Sequence, residues 1–269
     1  MSYNSTGLSD EALKKYIPLD MIHLTEVDST NTYAKSLAGK KEITTPLVIL
    51  ADSQHGGRGR LGRSFFSEDG TGIYMSILLF PEISPSDIQH ITTAAAAATC
   101  RAIEALTDLS PKIKWVNDIY IGGKKIAGIL TEGSFDPVQG KISHAVLGIG
   151  INVFSPARGF PEDIKSIATS IFPETYPERT EHNSFFREKL AGRIIDEFMV
   201  YYKSISQKPH FSDYKKRMLL TSQEVSVITP ISCTDAKVID LLDDFSLLVE
   251  YPSGKREALL SGEVSLKIK

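Results

Sequence analysis

The sequence predicts an α+β protein in which a body of helices and strands is followed by a small all-β unit. Three observations carry that expectation. Residues 47–50, 72–80 and 144–153 are apolar runs of strand length, the second nearly continuous and ended by Pro81, as in a strand buried on both faces. Residues 86–106 place Ile88, Ile91, Ala95, Ala98, Ala102, Ile103 and Leu106 near helical spacing around the helix-forming run 94–98. From about Ser222 onward the period becomes that of short strands.

Composition narrows the function. A chain of 269 residues with 42% apolar and 23% charged residues has the makeup of an ordinary globular protein with a sizeable core. Its net charge of −3 and pI near 6.1 give no whole-protein case for nucleic-acid or membrane-surface binding. Cys100 and Cys233 are the only cysteines, which excludes a disulfide scaffold and a Cys-rich zinc site and fits a cytoplasmic compartment. No apolar run reaches a membrane span, and the polar residues 1–5 show no signal-peptide pattern.

In chain order, residues 21–27 alternate as a strand and run into Asp28-Ser29-Thr30-Asn31, all of which can cap the short helix 32–38 closed by Gly39. Capping alone accounts for those side chains; hydroxyls facing a pocket are the functional alternative. The strand 47–51 then opens into residues 52–63, with Gly56, Gly57, Gly59 and Gly62 interleaved with Arg58, Arg60 and Arg63. Glycines that admit close approach to backbone N–H groups, beside permanent cations, suit an anion nest. A flexible basic surface loop or a nucleic-acid contact would have the same composition. His90, inside the predicted helix, reads as a surface or core side chain rather than a ligand because it has no partner at metal-ligand spacing.

Residues 112–132 contain two short strands around Gly122-Gly123, a hairpin signal, and the only tryptophan, Trp115, a core or pocket-wall residue. Gly148 and Gly150 interrupt the strand 144–153 on one face, marking either tight packing or a ligand against the backbone. Residues 154–180 predict a loop with a short helix near 167–171, and 184–205 an amphipathic helix. Strands are expected at 224–228, 236–241, 245–251, 255–259 and 263–268, a set of SH3-like size.

Taken together, Asp28 to Asn31, Gln54 to Arg63, Lys114-Trp115-Val116-Asn117-Asp118, Lys125 to Leu130 and Gly148-Ile149-Gly150-Ile151-Asn152 resemble biotin–protein ligases in order, spacing and wording, and Gly262 to Leu266 looks like that family's C-terminal signature. The resemblance implies a mixed, mainly antiparallel sheet flanked by helices, related to class II aminoacyl-tRNA synthetases, as a catalytic domain over 1–220, and an SH3-like barrel over 221–269. It begins near Met21, so the monofunctional type without an N-terminal DNA-binding domain is expected, with no nucleic-acid or membrane partner and with a homodimer left open. The implied reaction joins biotin and ATP into biotinyl-5′-AMP, then transfers the biotinyl group to a lysine of a biotin carboxyl carrier protein.

By similarity, Lys114, Arg58 and Arg60 are the catalytic residues, with Lys114 between the biotin carboxylate and the α-phosphate. Biotin would be held by Ser29, Thr30, Asn31, Gln54, Gly57, Arg58, Lys114, Trp115, Gly128, Gly148 and Gly150. ATP and the adenylate would meet Arg58, Gly59, Arg60, Arg63, Lys114, Asn117 and Asn152. Mg²⁺ would be carried mostly by phosphate oxygens and water, with no certain protein ligand. Lipoate–protein ligases share the fold and adenylate chemistry, but lipoate lacks the ureido group that polar Ser29, Thr30 and Gln54 suit. Two departures stand out: Val116 replaces the family's usual proline, and Leu61 stands where some members carry another arginine.

Overall fold

The computed structural model describes residues 7–40, 42–175, 185–229, 232–260 and 265–268. In chain order its elements are α1 (Asp10–Tyr16), β1 (Asp20–Val27), α2 (Thr30–Leu37), β2 (Leu47–Gln54), β3 (Gly72–Leu79), α3 (Ile88–Leu106), β4 (Lys112–Lys114), β5 (Asp118–Ile121), β6 (Lys124–Asp136), β7 (Lys141–Asn152), β8 (Phe154–Ser155), β9 (Phe172–Thr175), α4 (Phe186–Tyr202), α5 (Phe211–Lys215), β10 (Glu224–Ile228), β11 (Cys233–Leu241), β12 (Leu247–Glu250), β13 (Arg256–Leu259) and β14 (Ser265–Ile268).

The continuous apolar run becomes β3, buried along its whole length, as a strand covered on both faces must be. It lies inside a seven-stranded sheet of order β1-β2-β3-β7-β6-β5-β4. Only β1 and β2 pair in parallel; every other neighbour in that sheet is antiparallel, which gives the mixed, mainly antiparallel sheet. Alternation then sends Ile73, Met75, Ile77 and Leu79 to one face, into the main core with the alanine run of α3. On the same side α3 packs against α4. Methyl side chains let α3 sit close to its neighbours, and each fully buried Ile or Leu on this face contributes roughly 1.5–3 kcal/mol. The opposite face carries a smaller cluster, in which Ala34 and Leu37 of α2 cover Ile49, Leu78 and Val146.

Several expectations change. The helix α1 and the five-residue α5 were not predicted. Leu13 of α1 is fully buried, Ser9 caps the helix, and the Ser9 N–H donates to Glu188 of α4, so docking stabilises what is too short to persist alone. The short helix expected near 167–171 is replaced by turns over 162–167 and a bridge between Ala168 and Lys125. The edge of β6 takes those backbone groups: Lys125 N–H donates to Ile167 O at 2.8 Å and Thr169 N–H to Lys125 O at 2.9 Å. The hairpin at Gly122-Gly123 forms, but its second strand is 13 residues long and β4 adds a third.

The C-terminal strands form a five-stranded antiparallel sheet of order β13-β12-β11-β10-β14. It is attached through Phe245, fully buried against His210 (stacked, 4.9 Å), Phe211 and Tyr214. The leader 1–5, the first residue of the expected helix 184–205 and most of the Gly262 to Leu266 signature lie outside the described residues. No helix among the described residues is long and apolar enough to cross a membrane.

Candidate active site

The sheet face beneath α2 is where the sequence motifs converge. Register places Tyr74 opposite Gly150 and Gly150 opposite Gly128; one pair along, Ser76 faces Gly148 and Gly148 faces Leu130. Three glycines on this face let side chains of the cleft pack directly on the backbone. A Cβ on Gly148 would overlap the Asn31 amide, and a Cβ on Gly150 would meet the Phe65 ring at 2.6 Å. Tight packing therefore explains both glycines, and the groups packed there are themselves residues of the cleft. The cleft encloses a cavity of about 150 Å³.

One end is neutral and polar. Ser29, Thr30 and Asn31 are almost fully buried at the start of α2. Ser29 is the N-cap, yet its side chain makes no capping hydrogen bond, so capping alone does not account for it. The Gln54 Oε1 accepts from the Thr30 N–H at 2.9 Å and from the Thr30 hydroxyl at 3.1 Å, while Gln54 Nε2 donates to Ser67 Oγ at 3.0 Å. The Ser76 hydroxyl is the donor toward both Thr30 Oγ1 at 2.8 Å and Asn31 Oδ1 at 2.6 Å. Asn31 Nδ2 donates to Glu132 at 2.9 Å, and Lys35 pairs with the other Glu132 oxygen at 2.5 Å.

The other end is cationic. The glycine loop connects the neighbouring strands β2 and β3 and brings Arg58, Arg60 and Arg63 to the cleft. Close packing is what Gly57 supplies, since a Cβ there would strike the Phe65 carbonyl and the Ser67 hydroxyl. Left-handed backbone occurs at Gly62 (φ 74°) and at Leu61 (φ 55°), whose side chain is exposed. Arg60 donates to Asn117 Oδ1 at 3.1 Å, and Asn117 Nδ2 donates to Ile129 O at 2.8 Å. Asp118 is taken by Lys125 at 2.5 Å. Lys114, half-buried on the edge strand β4, closes no ion pair among the described residues, nor do the exposed Arg58 and Arg63. Burial holds the Lys114 ammonium below its ordinary pKa, partly offset by Asp118, and the nearby Lys125 and Arg63 depress it further. Burial likewise lowers Arg60. A low-dielectric cleft with cations of unmatched charge is poised for anionic oxygens.

Of the residues singled out from sequence, Ser29, Thr30, Asn31, Gln54, Arg58, Gly59, Arg60, Arg63, Lys114, Trp115, Asn117, Gly128, Gly148 and Gly150 all line this one cleft. Gly57 is not among the lining residues; it is buried against Phe65, Ser67 and Gln54. Asn152 is not among the lining residues: its amide donates to Thr169 O at 3.0 Å and pins the 169 segment. Trp115 lines the wall, but its indole N–H donates to Phe245 O at 2.9 Å, so it also ties the cleft to the C-terminal sheet. The Trp115–Val116 peptide is cis. Sequence reasoning gave no role to Phe65, Tyr74, Ser76, Asp118, Lys125 or Glu132. Strand alternation alone would have put Tyr74, Ser76 and Glu132 on the face of the glycines.

Residues 24–152 match the model of the biotin/lipoate A/B protein ligase family. The chain is 38% identical over 165 residues to the bifunctional ligase/repressor BirA of Bacillus spizizenii, a match covering 61% of this chain and 49% of that protein, so it spans about half the relative's length. Against the bifunctional ligase/repressor BirA of Escherichia coli K12 the identity is 32% over 248 residues, covering 90% of this chain and 72% of the relative. Among solved structures, a biotin protein ligase from Aquifex aeolicus in complex with biotin and ATP has a TM-score of 0.70 at 27% identity, covering 93% of this chain and 99% of that one.

Proposed function

Because this chain belongs to the biotin/lipoate A/B protein ligase family, we propose that it activates biotin with ATP to biotinyl-5′-AMP and transfers the biotinyl group to a lysine of a biotin carboxyl carrier domain. The observation that carries the reading is one cleft with two chemistries: buried hydroxyls at Ser29 and Thr30 beside the half-buried amide of Gln54, and cations at Lys114, Arg58 and Arg63 that close no ion pair among the described residues. A ureido ring needs the first and an acyl phosphate the second.

In this assignment biotin lies in the cleft with its ureido ring toward Ser29, Thr30 and Gln54 and its carboxylate toward Lys114. Attack of the carboxylate on the α-phosphorus expels pyrophosphate, and negative charge builds on oxygens that Lys114, Arg58 and Arg60 face. Arg60 is held ready by Asn117. In the second step an acceptor amine attacks the mixed anhydride, and AMP leaves against the same cations. Both steps depend on positioning and charge neutralisation. The nearest carboxylate, Asp118, is engaged by Lys125, and no cluster of three ligating side chains occurs among the described residues; this donor set fits Mg²⁺ arriving on the triphosphate, where it would neutralise phosphate charge.

The finer parts belong to the same proposal: a synthetase-like catalytic domain to about residue 220, an SH3-like C-terminal domain, and a cytoplasmic setting in which Cys100 and Cys233 stay thiols. Incubation with ATP, Mg²⁺ and biotin followed by mass spectrometry tests it. A bound biotinyl-adenylate is expected; its absence, or preferential formation of the lipoyl species, would overturn the reading. Light scattering on the same samples reads whether two copies pair.

A further inference from the structure

Residues 115–117 form the turn between β4 and β5, and its last residue orients Arg60. The Ile129 carbonyl can only accept, so the Asn117 amide gives its NH₂ to Ile129 O at 2.8 Å and turns its Oδ1 to the Arg60 guanidinium at 3.1 Å. That amide is aimed only as well as the peptide leading into it is fixed. The strand before the turn does little to fix it: β4 is three residues long, lies at the edge of the sheet, and meets β5 through three residue pairs.

Support comes from a segment far along the chain, residues 213–219. Ile113 N–H donates to Arg217 O at 2.8 Å, and Leu219 N–H donates to Ile113 O at 2.8 Å, a parallel bridge that extends the sheet beyond β4. Tyr214, fully buried in α5, donates its hydroxyl to Val116 O at 3.1 Å. Val116 is buried as well, and a carbonyl left there without a donor would carry its full desolvation penalty. The Tyr214 ring stands edge-on to Phe245, with centroids 5.6 Å apart. Its segment is anchored in turn by buried Arg217, which grips both Glu104 oxygens of α3 at 2.9 and 2.6 Å and the Asp213 carbonyl and carboxylate at 2.8 and 3.0 Å. Tyr214 itself is not among the residues lining the cleft.

We infer that Tyr214 is a positioning residue for adenylate formation: its hydroxyl fixes the Val116–Asn117 peptide, the peptide sets the Asn117 amide, and the amide aims Arg60 at the anionic oxygens of the reaction. The inference rests on the ligase reading above and adds to it a residue that touches neither substrate. A displacement of about 1 Å in such a donor is enough to cost up to about 10²-fold in rate.

The test is the kinetics of pyrophosphate release in wild type, Tyr214→Phe, Asn117→Ala and the double variant. Tyr214→Phe keeps the ring and removes only the hydroxyl. Its kcat/KM for ATP should fall by roughly five- to tenfold, the scale of one neutral hydrogen bond expressed in the reaction. Its KM for biotin should stay within about twofold, because Ser29, Thr30 and Gln54 keep their own contacts. Once Asn117→Ala has removed the amide, the same change should cost less than about twofold, whereas a merely structural loss would appear in both backgrounds. Should Tyr214→Phe melt below the assay temperature, Arg217→Lys reads the same pattern at a smaller factor, since it keeps the charge but not the fork that holds Glu104 and Asp213 together. An unchanged kcat/KM for ATP, a parallel loss for biotin and ATP, or equal losses with and without the Asn117 amide would each overturn the inference. A wild type that releases no pyrophosphate with biotin and ATP would overturn the ligase reading, and this inference with it.

Discussion

Replacing Lys114 with methionine removes one charge from the cleft while keeping an unbranched chain of similar length. An ammonium about 4 Å from an anionic oxygen, at the effective dielectric of a protein site, interacts with it by roughly 4 kcal/mol. Only the part that grows between ground state and transition state accelerates the reaction, so adenylate formation should fall by roughly 10²–10³, the scale of losing one preorganised donor. Stability should move the other way. The folded state holds Lys114 below its ordinary pKa through burial, so its charged form opposes folding at neutral pH, and stability rises as pH increases through that depressed value. A neutral side chain should therefore leave the melting temperature unchanged or raise it. Pyrophosphate release with saturating biotin and ATP, paired with a thermal melt, reads both. Activity within tenfold of wild type, or a melting temperature that falls along with activity, would refute the assignment of Lys114 as an unmatched catalytic cation.

Gly150→Ala places a methyl where the Phe65 ring lies 2.6 Å away; it should weaken biotin binding and cost about 1–3 kcal/mol, and the added Phe65→Ala change should restore part of the binding, as measured by a double-mutant cycle. Phe245→Ala empties a fully buried socket and should destabilise by about 3–5 kcal/mol, with the transition followed by fluorescence of Trp115, the only tryptophan and a direct hydrogen-bond partner of residue 245. Two histidines should give opposing pH limbs. Hydrogen bonds donated to Asp52 and Asp10 outweigh burial and raise His23 above 6.5, so its contribution is full below 6.5 and lost as pH rises through the raised value. Burial pushes His210 down from 6.5 to about 3, so stability is lost as pH falls between those values and the unfolded chain takes up the proton. Thermal melts across pH should lose the alkaline limb in His23→Asn and the acid limb in His210→Gln; an unchanged profile in either would refute that linkage.

Much of the scaffold was legible because its signals are local. The run that became β3 and the alanine-rich α3 announce themselves by composition, and β10 appears at the residues expected from alternation. Legibility failed where a distant partner decides. Ala168 sits in a sequence fit for a short helix, yet the edge of β6 claims its backbone. The seven residues of α1 carry a capping serine but persist through burial of Leu13 and contact with α4. Ser29 shows the same limit within the site: a cap and a pocket residue read identically until the hydroxyl is seen to make no capping bond.

By itself the sequence determined the alternation that brings the glycines to one face, the charges of the loop after β2, and the neutral residues at the start of α2. Those properties belong to residue type and spacing, and they survive in any arrangement of the chain. Only the tertiary structure decided which charges remain unmatched and which way the buried hydrogen bonds run. Lys125 takes Asp118 and so leaves Lys114 without an ion pair among the described residues; Glu132, about a hundred positions along the chain, accepts from the Asn31 amide. Charge pairing and hydrogen-bond direction fall off within a few ångströms, so they depend on distances in space that distance along the chain does not reveal.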